Sequence, residues 1–163
     1  RGDLMTANTA TDTTGDEVPG PRTTTVHGSA AGFAQEIAIG QHRLFADEPT
    51  SVGGTDTGPN PYDLLLAALG SCTSMTVAMY ARRKRWPLES VTVRLSHSKV
   101  HAADCAESET NVGMLDHVHR EVEFSGPLSE EQRARLLDIA AKCPVHRLMT
   151  QVTTEITTAL APQ

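Results

Sequence analysis

Three cysteines stand far apart in this 163-residue chain, and each keeps different company. Cys72 lies in the stretch ALGSCTSMTVAMYARRKRW, Ala68 to Trp86, among apolar and small polar residues. Alanine or serine would fill the same space, so this thiol is either a small core hydrophobe or a nucleophile. Cys143 directly precedes Pro144 in CPVHRLMT, which puts it at the N-cap of a short helix. Free N–H groups and the helix dipole favour a thiolate there and lower its pKa. Cys72 gets no such help from its own helix, because it sits well inside it. Its activation would have to come from elsewhere: Arg43 on an early strand, and an acid to hold that arginine, with Asp63 nearest. Asp63 precedes Cys72 by about two and a half helical turns. It cannot touch the thiol, but it could anchor a side chain that does.

Cys105 lies in the polar turn HAADCAESE. It is an exposed spectator, or a metal ligand together with His101 and Asp104. No fourth ligand stands at metal-site spacing, which favours the spectator. His117 and His119 share one face of a strand and suit a solvated surface. The run ARRKR, Ala81 to Arg85, is a solvated helix end or the lining of an anionic entrance. No CxxC pair, phosphate loop, nucleophile elbow or HExxH site occurs.

The elements that must position these residues follow from pattern. TTTVHGSA, GFAQEIAIG and QHRLFADEP read as three short strands, the last stopped by Pro49. TSVGGTDTGPN is a Gly-rich loop. Asn60 caps and Pro61 opens a helix, with Asp63 in its first turn and cations at its end, until Pro87 stops it. From Leu64 to Tyr80 this helix is apolar nearly all round, which predicts a central, buried element. SVTVRLSHSKVHA and VGMLDHVHREVEFSG read as a hairpin. Ser129 to Gln132, SEEQ, is a capping box that starts another helix, broken at Pro144 by the short helix after Cys143. QVTTEITTAL is expected as a final strand. Three strands, a helix, two strands, two helices and a strand make an α+β domain of antiparallel sheets around a long central helix.

Residues 1–22 are rich in Thr, Asp, Gly and Pro and read as a disordered tail, leaving 23–163 as the domain. The net charge of −6 argues against nucleic acid or an anionic membrane as partner. No secretory leader is visible, and the longest apolar run, Leu64–Leu69, is too short to span a bilayer. A cytoplasmic location and free thiols are therefore expected.

GPNPYDLLLAALGSCTSMTVAMYARRK, together with AAKCPVHRLMT, resembles the OsmC/Ohr family of thiol-dependent hydroperoxide reductases, and the likeness runs from about Thr23 to Leu160. The resemblance implies an intertwined homodimer, with Cys72 as the peroxidatic and Cys143 as the resolving cysteine. It also implies an activating arginine from an early strand, for which Arg43 is the candidate, and an acid just after the Asn-Pro pair. Here Tyr62 follows Pro61, and the acid, Asp63, comes one position later. The implied reaction needs an organic hydroperoxide and a thiol reductant, and no metal or bound cofactor. Leu66, Leu69 and Met75 would give Cys72 an apolar pocket suited to an organic peroxide. A non-enzymatic stress or ligand-binding dimer of the same fold is the alternative, and Tyr62 in the acid's place favours it somewhat. A metal-binding or thiol-transfer role through His101, Cys105 and Cys143 is the third reading.

Overall fold

Asn60 and Pro61 start the central helix as their residue types require. In the computed structural model, which describes residues 23–101 and 114–161, helix α1 spans Pro61–Lys84. The Asn60 side chain accepts from the Asp63 N–H at 3.0 Å, and the Asp63 carboxylate accepts from the Asn60 N–H at 3.2 Å. This reciprocal pair satisfies two N–H groups that the first turn leaves without partners. At the other end Arg82, Arg83 and Lys84 meet the negative pole, and Arg85 adopts a left-handed conformation that stops the helix.

Before α1, strands β1 (Thr24–Gly28), β2 (Gln35–Ile39) and β3 (His42–Ala46) form an antiparallel sheet in that order. After it, β4 (Ser90–His101) and β5 (Met114–Ser125) form a long hairpin, with Ser90 opposite Ser125 and His97 opposite Val118. Helices α2 (Glu130–Ala140) and α3 (Pro144–Thr150) complete the order. Ser129 and Gln132 close the expected capping box on α2, and Cys143 is the N-cap of α3, with Pro144 at its first position.

Helix α1 packs on β4, α2 and α3. Val77, Ala81, Leu136 and Ala140 form the core, joined by Trp86, Val91, Val122 and Phe124. Gly70 lets α1 approach the hairpin, because a Cβ there would lie 2.8 Å from Leu95 Cδ1. A glycine inside a helix costs about 0.5–1 kcal/mol against alanine, and the close contact offsets that cost.

Two expectations change. Within one chain α1 is covered only along the stripe Leu69, Gly70, Thr73, Val77 and Ala81, while Met75 is 70% and Met79 50% exposed. Among the described residues, no strand or helix of the chain covers Met75 and Met79 on the far side of that stripe. The expected last strand does not form: residues 151–161 have no regular structure and are exposed, Ile156 at 85% and Leu160 at 93%. A strand needs a neighbour to pair its N–H and C=O groups, and this segment has none among the described residues. By length and composition α1 is long and apolar enough to cross a membrane; the short run Leu64–Leu69 understates this. Here a sheet and two helices pack against it. The tail 1–22 and the turn with Asp104 and Cys105 lie outside the described residues, and so does the side chain of His101.

Candidate active site

Three elements converge where α1, β5 and α3 meet. Helix α1 brings Cys72 and Thr73, β5 brings Arg120, and the start of α3 brings Cys143. Thr73 and Cys143 have no exposed surface. Thr73 Oγ1 lies 3.5 Å from Cys143 Sγ, and the His146 N–H donates to the same sulfur at 3.4 Å. Arg120 Nη1 donates to Thr73 Oγ1 at 3.0 Å. Cys72 is the neighbour of Thr73 on the helix and is half-buried. Both thiols are free.

Burial pushes the Cys143 thiol up, but the balance lowers it. The Thr73 hydroxyl and the His146 N–H hydrogen-bond the sulfur, and the neighbouring Cys72 thiol and the Arg120 charge add to them. All four act on the charged form. The N-cap position thus has the effect expected from the sequence, with the helix N–H as one contributor among several.

Beside the thiols lies a cleft of about 450 Å³. Its apolar wall is Leu65, Leu66, Leu69, Val118 and Met149, and its polar groups include Arg120, His97, Asp116, His146 and Tyr62. That volume suits a small organic ligand. Leu65, Leu69 and Cys72 follow one another on one flank of α1, and the cleft's lining on that helix ends at Leu69, one turn before the half-buried thiol. At the mouth, the Tyr62 ring stacks on His97 with centroids 4.8 Å apart, and His97 Nε2 lies 2.8 Å from Asp116 Oδ1.

The expected residues divide. Cys72 and Cys143 come together. Arg43 does not join them within the subunit: its guanidinium donates to Gly40 O and His42 O, both at 3.1 Å, on the β1–β3 sheet. Asp63 is engaged in the capping pair with Asn60, and two and a half turns put it on the opposite side of α1 from Cys72. Leu66 and Leu69 line the cleft, whereas Met75 lies on the uncovered face.

Arg120, Thr73, His97 and Asp116 were not singled out from the sequence, although β5 carried a signal. Its alternate residues Val118, Val122 and Phe124 form an inward, half-buried row to which Arg120 belongs, and Asp116 continues the alternation at its exposed end. Charged residues on the packed face of a strand are unusual and mark a candidate site.

The family model for OsmC-like proteins matches residues 54–158. The chain belongs to the OsmC-like family. No curated protein matches the sequence. Among solved structures, an organic hydroperoxide resistance protein OsmC from Legionella pneumophila shares the fold with TM-score 0.60 and 19% identity, over 80% of this chain and 90% of that one. OhrB of Bacillus subtilis, another organic hydroperoxide resistance protein, aligns with TM-score 0.56 and 20% identity, over 80% and 91%. An OsmC-like protein of unknown function from Vibrio cholerae aligns with TM-score 0.60 and 15% identity, over 80% and 94%. These likenesses establish the α+β fold of this OsmC-like protein, with its long helix and two antiparallel sheets.

Proposed function

We propose that this OsmC-like protein reduces organic hydroperoxides with its two thiols. One observation carries the reading: two free, neighbouring cysteines lie next to residues that line an apolar cleft, with Leu69 one turn before Cys72, His146 bonded to Cys143, and Arg120 joined to Thr73 between them. The names of the Legionella and Bacillus relatives agree with it.

The more accessible thiol, Cys72, attacks the distal peroxide oxygen. The O–O bond breaks, the alcohol leaves, and Cys72 becomes a sulfenic acid. The Cys143 thiolate then attacks the Cys72 sulfur. A disulfide forms, the S–O bond breaks, and hydroxide departs to be protonated as water. Two equivalents of an external thiol, or one dithiol, reduce the bridge by exchange. The leucine wall takes the organic group of the substrate, and the charge of Arg120 lies on the cleft side of the dyad. Neither Arg43 nor Asp63 has a part in this scheme within one subunit. A reducing cytoplasm would keep both thiols ready between turnovers.

The same reading includes a homodimer. Met75, Met79, Leu44, Phe45, Ile156 and Leu160 are exposed on one chain. On α1 these residues lie along its uncovered face, and a second copy is the cover the family resemblance suggests.

One observation favours a non-enzymatic ligand-binding dimer instead. Tyr62 occupies the position just after Asn-Pro and stacks on His97, with no carboxylate of its own to set an arginine. Consumption of an organic hydroperoxide in the presence of a dithiol, for wild type and for Cys72→Ser, decides between the two. Turnover that needs Cys72 supports the peroxidase. Ligand uptake without turnover supports the binding dimer.

A further inference from the structure

The Thr73 hydroxyl has one hydrogen and two neighbours that can accept it. Its Oγ1 lies 2.8 Å from Leu69 O and 3.5 Å from Cys143 Sγ. The third neighbour, Arg120 Nη1 at 3.0 Å, can only donate. Thr73 and Cys143 are both fully buried, so no water competes for these bonds.

Two complete arrangements follow. With Cys143 as a thiol, S–H donates to Thr73 Oγ1, Arg120 fills the second acceptor site, and the hydroxyl hydrogen points to Leu69 O. With Cys143 as a thiolate, the hydroxyl hydrogen turns to the sulfur while Arg120 still donates to the oxygen. Leu69 O then keeps its ordinary helical N–H partner. No group is orphaned in either state, which is what a buried polar network requires.

We infer that Thr73 is a two-position hydroxyl switch through which Arg120 stabilises the Cys143 sulfur whenever that sulfur loses its proton. Arg120 and Thr73 are thus positioning residues that act through Cys143. The titratable groups facing this sulfur are Cys72 from α1 and Arg120 from β5, while α3 contributes the backbone N–H of His146 and not its ring. Only Arg120 is a fixed cation. The consequence for catalysis rests on the peroxidase reading: a thiolate at Cys143 closes the disulfide before a second peroxide can carry Cys72 to sulfinic acid.

The test measures Cys143 by itself. In the full chain carrying Cys72→Ser and Cys105→Ser, thiolate absorbance is titrated against pH, less that of the same chain also lacking Cys143. Thr73→Val keeps the branched shape and removes the hydroxyl. Thr73→Ser keeps the hydroxyl. The switch requires the midpoint to rise by about one pH unit, a tenfold loss of thiolate at neutral pH, in Thr73→Val and in Arg120→Met. Thr73→Ser should stay near the parent value, a rescue that a purely structural role would not predict. An unchanged midpoint in Arg120→Met, or in a folded Thr73→Val, overturns the switch. If Thr73→Val does not fold, Arg120→Met and Thr73→Ser decide. Peroxide consumption is assayed separately in the chain with all three cysteines. A shifted midpoint without consumption would remove the peroxidase reading and keep the switch. Consumption with no shift would do the reverse.

Discussion

Thr73 Oγ1 and Cys143 Sγ lie 3.5 Å apart although 70 residues separate them in the chain. The contact exists because α3 starts against the buried stripe of α1, at the level where β5 passes Arg120 behind the same hydroxyl. It also places the neighbour of Thr73, Cys72, beside Cys143.

Peroxide should therefore join Cys72 to Cys143, seen as a linked peptide pair in a non-reducing digest. Cys72→Ser should abolish turnover and leave no sulfenic acid, since a serine hydroxyl stays protonated at neutral pH. Cys143→Ser should consume about one peroxide per site and stall as a sulfenic acid on Cys72, which excess peroxide drives to sulfinic acid. Cys105→Ser should turn over like wild type. If Cys143→Ser loses the first peroxide reaction and Cys72→Ser keeps it, the two roles exchange.

Asp63 serves the start of α1 rather than the thiols. Asp63→Ala removes the acceptor for the Asn60 N–H and a negative charge from the first turn. The cost should be about 0.5–1 kcal/mol in denaturant unfolding. The rate of the first peroxide reaction should not change. A large loss of rate at full folding would return Asp63 to the site.

The uncovered face of α1 should be an interface between copies. Met75→Glu puts a charge at a residue 70% exposed in one chain, so it does little to an isolated subunit. If a second copy covers that face, association should weaken at least about tenfold in sedimentation, because an unpaired buried charge is costly. Identical sedimentation of variant and wild type, both monomeric, would contradict the dimer.

Asp47 organises the loop that leads into α1. It is 2% exposed and accepts from Thr55 Oγ1 at 2.6 Å, Thr57 Oγ1 at 3.0 Å and the N–H groups of Glu48, Thr55 and Thr57. The Thr55 hydroxyl is the main cause that holds this carboxyl well below its ordinary value, against the upward push of burial, with the three N–H groups adding to it. A depressed folded pKa means that the carboxylate stabilises the fold above the unfolded value of 3.8 and that this is lost as pH falls below it. Asp47→Asn should lower the melting temperature at neutral pH. The gap from wild type should close below about pH 4, where the unfolded carboxyl begins to protonate. A gap that stays constant to low pH would mean that the charge contributes nothing.

The sequence by itself determined whatever depends on residues three or four positions apart. Asn60 with Asp63 and Ser129 with Gln132 each close a capping box, and Cys143 before Pro144 caps α3, because each group finds its partner within the first helical turn. Alternating polarity likewise determined β4 and β5 as two strands of a hairpin. Which side chains meet across elements was decided only by the tertiary structure. Arg43 is the cation the sequence points to, but its strand position turns it back on its own turn, whereas that of Arg120 turns it toward Thr73. His97 meets Asp116 because the register sets His97 opposite Val118, and no local pattern fixes that register. Residues 151–160 have the composition of a strand, yet a strand exists only where another backbone completes its hydrogen bonds, and that depends on packing and not on the segment's own residues.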